Sequence, residues 1–364
     1  MLKIKERRQR MNNRISKLRD IMTKEGWDAF LVTTPKNIRY LTSFTGSAGN
    51  VLITPKESYF ITDFRYDQQA KEQAKDFEVI IHQGNIFATM DEILRKEAIR
   101  SVGIEADHMN VTTYANISEL FEPMLVQSQG VIEKIREVKD EEEIELIRQA
   151  CKITDQAFEH ILDFIKVGIS EIEVANELER FLKDKGASGM SFDTIVASGV
   201  RSAMPHGVAS DKLIEFGDLV TLDFGCYYKG YTSDMTRTIA VGQVNPELEN
   251  IYNIVLEAHN RVIEYTKAGM TGKEVDALAR DYITEQGFGE NFGHTTGHGI
   301  GLDVHEGPAV ASRNDQPLVV NNIITNEPGI YIAGLGGVRI EDDLLITKEG
   351  VESLNDSPKK LIIV

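Results

Sequence analysis

Met11, Ile15, Leu18 and Met22 recur at three- and four-residue intervals up to Gly26, which predicts an amphipathic helix with one apolar face. Lys3, Lys5, Arg7, Arg8 and Arg10 precede that stripe and read as the helix's solvated basic start rather than as a nucleic-acid contact. After Gly26, short β-rich runs at Ala29–Val32, Val51–Ile53, Tyr59–Thr62 and Val102–Ile104 alternate with helical stretches, the pattern of a compact α/β domain. Asp140-Glu-Glu-Glu143 then sets carboxylates at the positive end of a helix running through Ile144, Ile147, Cys151, Phe158 and Ile161, with Gly168 as its expected end. A boundary near residue 135 follows, dividing the chain into domains at 1–133 and 134–364.

The second domain carries a faint internal repeat. Lys166 to Ala187 matches Lys267 to Phe288 at a constant offset of 101, with Lys166, Gly168, Glu173, Val174 and Gly186 repeated as Lys267, Gly269, Glu274, Val275 and Gly287. Each copy reads as a tight turn, a helix cap (Ser170, Thr271), an amphipathic helix and a terminating glycine. Each is followed by a strand-rich stretch bearing histidine and acidic residues. The expectation is a pseudo-two-fold domain with its site between the halves.

Composition narrows the function classes. At 364 residues the chain exceeds one ordinary core, and no apolar run approaches the roughly 20 residues of a membrane span. A net charge of −17 repels polyphosphate and argues against nucleic acid as the main partner. The N-terminus does not read as a secretory signal, and two cysteines, Cys151 and Cys226, are too few for a disulfide framework. A reducing cytoplasm is the expected location.

The chemistry lies in two acidic hairpins. Asp223 and Asp234 lie in two β-rich runs around a Lys229-Gly230 turn, equidistant from the Tyr228 and Lys229 pair, and folding there is expected to set them roughly opposite each other on one face; Glu327 and Glu341 are symmetric about Gly334 and are expected to face each other too. Four converging carboxylates repel strongly, and two divalent ions would balance them. Between the hairpins, glycines flank His298 in Gly297-His298-Gly299 and permit close backbone approach, making His298 the fifth candidate ligand. Four carboxylates and one imidazole suit Mn, Co, Fe or Zn rather than a thiolate-bound ion. Paired ions of this kind serve hydrolysis.

Over nearly the whole chain these motifs resemble the pita-bread metallopeptidases, within them the Xaa-Pro aminopeptidases (aminopeptidase P) and Xaa-Pro dipeptidases (prolidases). Val138-Lys139 with Glu143-Ile144 resembles the family's domain junction and Met204-Pro-His206-Gly207 its first-histidine motif. The aspartate hairpin, Gly297-His298 to His305-Glu306-Gly-Pro308, Glu327-Pro-Gly-Ile-Tyr331 and Val338-Arg-Ile-Glu-Asp342 complete the order. Tyr40 to Ser47 and Thr62-Asp-Phe-Arg-Tyr66 resemble the accessory domain, the former closer to aminopeptidase P. The resemblance implies an α+β protein, with a creatinase-type N-terminal domain before a pita-bread catalytic domain. It implies that Asp223 holds one ion, His298 and Glu327 the other, that Asp234 and Glu341 bridge both, and that Glu327 is the base for a bridging water. By the same resemblance His206, His294 and His305 contact substrate or the tetrahedral intermediate, and Arg339 supports a bridging carboxylate. It further implies manganese, with cobalt or zinc as alternatives, a peptide or dipeptide with proline second as substrate, and a homodimer. Asn326 departs from the pattern, which usually has an apolar residue before the Glu-Pro-Gly motif.

Other readings fit less well. Asp223-Phe-Gly225 matches a kinase magnesium motif, but no glycine-rich loop or catalytic-loop signature accompanies it. His305-Glu306 lacks the second zincin histidine, and Pro308 would break the helix. A methionine aminopeptidase generally lacks so large an N-terminal domain, and creatinase lacks the metal ligands. The alternatives carried forward are a catalytically silent pita-bread binding protein and an aminopeptidase of other specificity. His82, His108, His160 and His259 are expected to be structural.

Overall fold

The computed structural model describes residues 2–364, except the side chains of residues 2–10 and Asn12, so the basic side chains from Lys3 to Arg10 lie outside the described residues. The chain forms two compact units, Met1–Arg136 and Glu137–Val364.

In the first unit, helix α1 (Leu2–Glu25) buries the predicted stripe of Met11, Ile15, Leu18 and Met22. Strands β1 (Ala29–Val32), β2 (Asn50–Ile53), β3 (Ser58–Thr62), β4 (Glu78–Ile81), β5 (Ser101–Glu105) and β6 (Met124–Ser128) make one mixed sheet in the order β4-β3-β2-β1-β5-β6. Helices α2 (Pro35–Thr42), α3 (Asp67–Gln73), α4 (Ile86–Lys96), α5 (Val111–Leu120) and α6 (Val131–Arg136) connect or flank the strands. Leu31, Leu52, Ile61, Met90, Leu94 and Ile104 form its core. The edge strands β4 and β6, absent from the sequence reading, are only partly buried, although Val79-Ile80-Ile81 and Met124-Leu125-Val126 are apolar runs as continuous as that of β2.

The second unit is built twice. Helices α7 (Glu141–Phe164) and α8 (Glu171–Asp184) precede strands β7 (Gly189–Met190), β8 (Ile195–Ser198), β9 (Leu219–Phe224), β10 (Cys226–Tyr228), β11 (Tyr231–Thr232) and β12 (Met235–Ala240). Helices α9 (Pro246–Tyr265) and α10 (Gly272–Glu285) precede β13 (Gly297–Gly299), β14 (Glu306–Val310), β15 (Ile323–Asn326), β16 (Gly329–Ile332), β17 (Gly336–Arg339), β18 (Asp342–Ile346) and β19 (Val351–Ser353). Adding the predicted 101 to the ends of α8 gives the ends of α10, and Phe164, the end of α7, maps to Tyr265, the end of α9.

The correspondence extends past the matching sequence. The Gly168 amide donates to the Ile214 carbonyl and the Ile214 amide to the Ile169 carbonyl, both at 2.8 Å; Gly269, Leu318 and Met270 repeat the pair at 2.8 Å. One correction concerns α7, which ends at Phe164 rather than at Gly168. Extended backbone at Ile165 stops it, and Gly168, at φ +94°, shapes the turn into α8.

Each half has its own core. Phe158, Ile161, Leu178 and Leu182 pack against Val220, Leu222 and Phe224; Ile251, Val255, Val275 and Ile283 pack against Ile324, Leu344 and Ile346. Ser170 and Thr271 each complete a reciprocal capping box with Glu173 and Glu274. Ser170→Ala and Thr271→Ala are each expected to cost about 1 kcal/mol, additively in the double variant, as read from thermal unfolding; a strongly non-additive result would contradict two equivalent, independent caps.

Candidate metal centre

Strand alternation aims the acidic residues inward. Val220, Leu222 and Phe224 of β9 face the helices of their own half, so Thr221 and Asp223 take the opposite face. Strand β12 pairs with β9 in antiparallel register, with Thr236 opposite Asp223, which puts Asp234, Thr236 and Thr238 on that same face.

This corrects the expected pairing of Asp223 directly with Asp234. The chain reverses between Lys229 and Gly230, with φ of 49° and 89° as the central residues of a type I′ turn require. That pivot lies one residue later than the sequence symmetry assumed, so the partner shifts by two. A two-residue shift preserves the face, and the aspartates are diagonal neighbours.

The second hairpin keeps the expected register. Asn326 pairs with Asp342 in one ladder and Gly329 with Arg339 in the next, which puts Glu327 and Glu341 opposite each other between them. Ile324, Leu344 and Ile346 face α9 and α10, leaving Thr325, Glu327, Glu341 and Asp343 on the inner face. His298 stands at the centre of β13. Side chains at Gly297 or Gly299 would collide with the carbonyl oxygens of Thr325 and Gly307, so glycine is required on both sides of it.

These faces meet. His298 Nε2 lies 3.5 Å from Glu327 Oε1 and 3.8 Å from Asp234 Oδ2, and donor atoms of Asp234, His298 and Glu341 all fall within 4.8 Å of one another. Donors sharing one ion at about 2.1 Å stand no more than about 4.2 Å apart, so the two His298 separations suit a common cation. Asp223 joins through a chain of hydrogen bonds: Arg339 Nη2 donates to Asp223 Oδ2 at 2.6 Å, Arg339 Nε to Thr236 Oγ1 at 3.0 Å, and Thr236 Oγ1 to Glu341 Oε2 at 2.6 Å.

The charges conflict. Burial pushes Asp234 and Glu341 well above the usual carboxylate range, and neighbouring carboxylates add to the shift. Burial pushes Glu327 up to about 8; Arg339 opposes the shift and Asp223 reinforces it. Burial also lowers His294 and His298 to about 4. Asp223 Oδ1 and Asp234 Oδ1 are buried without a hydrogen-bond partner. An unsatisfied buried acceptor costs about 1–3 kcal/mol, and a divalent cation would relieve both the orphaned oxygens and the repulsion. The donor set therefore fits hard or borderline ions.

The remaining predicted site residues surround this cluster. The His305 ring centroid stands 4.1 Å from that of His298, and His305 feels the charge of Asp223. Burial lowers His305 as it lowers His294, and both lie within charge range of His206. His294 Nδ1 is 3.9 Å from Glu327 Oε2 and 2.8 Å from the Thr295 carbonyl. That carbonyl can only accept, so Nε2 accepts the Tyr331 hydroxyl at 2.9 Å, and Tyr331 in turn accepts from Arg339 Nη1 at 2.7 Å.

Sequence reasoning missed Thr236, Thr325, Tyr331 and Asp343 as functional positions. Thr325 Oγ1 accepts from the His298 amide at 3.0 Å and contacts Glu327 Oε1 at 3.3 Å; Asp343 Oδ2 accepts from the Asp234 amide at 3.0 Å. The signal was period two: Thr236, Thr325 and Asp343 stand two positions from Asp234, Glu327 and Glu341. Asn326 points the other way, its side-chain amide donating to the His259 carbonyl at 3.1 Å. His160 stacks on Phe181 beside Glu177, and His259 is buried near Asp342, as structural residues would be.

Comparison with known proteins falls on both units. Residues 145–348 match metallopeptidase family M24, and residues 14–138 match the creatinase/prolidase N-terminal domain. The Xaa-Pro dipeptidase of Pyrococcus horikoshii is 42% identical over 359 residues, 97% of this chain and 99% of that protein. A solved Xaa-Pro dipeptidase from Bacillus anthracis superposes with a TM-score of 0.96 at 52% identity, over 97% of this chain and 100% of the other. An X-Pro aminopeptidase from Thermotoga maritima MSB8 gives a TM-score of 0.89 at 41% identity, over 93% and 98%. The expected architecture, a creatinase-type domain followed by a pita-bread domain, is the one these structures share with this chain.

Proposed function

Metallopeptidase family M24 is the family to which this chain belongs, and from that premise we propose an exopeptidase that cleaves the bond between an N-terminal residue and a following proline, in dipeptides or longer peptides. One observation carries the reading: four buried or half-buried carboxylates and His298 line facing hairpins in a chain 52% identical, end to end, to an Xaa-Pro dipeptidase.

We assign Asp223, Asp234, His298, Glu327 and Glu341 as the ligands of two divalent ions, with Asp234 and Glu341 shared. When bound, such ions supply Lewis acidity and lower the pKa of a water toward neutrality. The chain's own residues do the rest. Glu327, held near His298 and Thr325, receives the proton of the attacking water. Arg339 fixes Asp223, and Thr236 fixes Glu341, so both carboxylates are oriented before substrate arrives. His206, His294 and His305 face the substrate and the tetrahedral intermediate. Near neutral pH His294 is uncharged, because burial has lowered it to about 4. Manganese in the site, a homodimeric assembly and a cytoplasmic location belong to the same reading. Among the described residues no helix is long and apolar enough to cross a membrane.

The test is a panel of Xaa-Pro dipeptides, Xaa-Pro-Yaa tripeptides and the same peptides with alanine for proline, each incubated with manganese-loaded protein. Proline-dependent, chelator-sensitive cleavage is expected. Equal cleavage of the alanine series would remove the proline preference, and no cleavage of any peptide would remove the peptidase reading.

A further inference from the structure

The three histidines assigned to the substrate occupy loops, two of them exposed, yet their chemistry needs fixed positions. Loops of this kind hold geometry only when something closes them. Each of the three is held by an acid–base pair that contributes none of the five assigned ligands.

The loop bearing His206 is pinned by Glu171 at the start of α8, a side chain with no solvent exposure. Glu171 accepts from the Ser198 amide and hydroxyl at 2.7 and 2.9 Å, and from the Ser210 amide and hydroxyl at 3.0 and 2.7 Å, gripping both ends of the segment. It also pairs with Arg201, whose Nη2 donates to the Val208 carbonyl at 2.9 Å, two residues beyond His206.

The loop bearing His294 is pinned by Asp276 on α10, the corresponding helix of the other half. Asp276 accepts from the Thr296 amide and hydroxyl at 3.1 and 2.8 Å and from Arg280 Nε at 2.7 Å. Arg280 then donates to the Phe292 carbonyl at 3.0 Å and to the carbonyl of His294 itself at 2.7 Å. For His305 the pair is Lys139 and Glu306, joined at 2.8 Å and almost wholly buried; Glu306 Oε2 accepts from the Asp303 amide of the loop at 3.4 Å, and the main-chain amide of Lys139 donates to the Asn321 carbonyl at 2.9 Å.

Buried ion pairs are weak sources of stability, since desolvation cancels much of the attraction. Their hydrogen bonds here converge on loop backbone, where they fix position. We propose that Glu171–Arg201, Asp276–Arg280 and Lys139–Glu306 are positioning pairs, each acting on the reaction through the one histidine its loop carries. The inference rests on the substrate roles assigned to those histidines.

The experiment uses the full chain with Arg201→Lys, Arg280→Lys and Glu306→Gln, with Glu171→Gln and Asp276→Asn as second variants should an arginine variant fail to fold. Each is expected to lower kcat/KM by about 10- to 100-fold, the usual effect of a supporting group around a reactive one, with ion content unchanged. Combined with alanine at the histidine of its own loop, each should add no further loss; combined with alanine at a histidine of another loop, the losses should add. Hydrogen exchange should quicken in residues 198–210, 292–296 or 303–307 alone, according to the pair altered. Additive losses with the loop's own histidine, or exchange quickening throughout the unit, would overturn the proposal. If the parent protein cleaves no peptide, the functional reading fails, while the exchange pattern still decides whether each pair governs its own loop.

Discussion

Replacing Glu341 by glutamine is expected to lower kcat/KM by about 1,000-fold, because on the proposed assignment it loses a ligand common to both ions and with it several kcal/mol of charge stabilisation, each 1.36 kcal/mol being tenfold. The change is nearly isosteric: the glutamine amide oxygen can still accept the Thr236 hydroxyl that Glu341 Oε2 now receives at 2.6 Å. What disappears is one negative charge from a side chain only 2% exposed, directly opposite Glu327 and within 4.8 Å of Asp234 and His298 donor atoms. Ion content measured on the purified variant should fall along with activity. Thr236→Val offers the contrast, since it keeps the carboxylate and loses only the hydroxyl that orients it, for which about 10- to 100-fold is expected. A Glu341→Gln protein with full ion content and unaltered kinetics would show that Glu341 is not a ligand.

The period-two logic that makes Glu341 central also separates what the sequence revealed from what it hid. The second hairpin could be paired correctly from sequence because Gly334, at φ +81°, is a single-residue pivot and the two ladders, though separated at Glu327 and Glu341, keep one register. In the first hairpin the pivot falls between Lys229 and Gly230, and nothing in the spacing of Asp223 and Asp234 distinguishes that turn from one centred a residue earlier. The face survived the error because a shift of two returns a strand residue to the same side.

The 101-residue repeat was legible through its caps. Ser170 and Thr271 with Glu173 and Glu274 are local signals that need no tertiary partner. Thr236, Tyr331 and Arg280 were not legible in the same way. A threonine in a strand is ordinary, and the partners that give these residues meaning lie 105, 37 and 14 positions away, at Glu341, His294 and the His294 carbonyl. Period two gives the face of Thr236, but the long-range hydrogen bonds themselves leave no periodic trace. Asn326 shows the converse: its departure from the family pattern is visible in sequence, but only the fold shows that it faces α9 rather than the acidic cluster.

Removing the ions should abolish hydrolysis and also give stability a pH dependence that the loaded protein lacks. In the metal-free chain Glu327 titrates at about 8, with Asp234 and Glu341 raised in the same direction, whereas in the unfolded chain carboxyls ionise near their ordinary values, about 4. Between those limits the folded state binds more protons than the unfolded state, so stability falls as pH rises. His294 and His298, lowered to about 4, act in the opposite sense, but only below about 6.5, where unfolded histidines still hold protons. From about 6.5 to 8 the carboxyls are unopposed, and the metal-free protein is expected to lose thermal stability across that interval. Bound ions keep the same carboxylates ionised throughout, so the loaded protein should show no such slope. Adding manganese to metal-free protein near pH 7 should also release protons, measurable as a buffer-dependent heat of binding. A metal-free protein whose Tm rises or holds level from pH 6.5 to 8, with no proton release on loading, would mean that the inward carboxyls are already ionised without a cation. In that case charge repulsion among them would no longer explain why the site needs one.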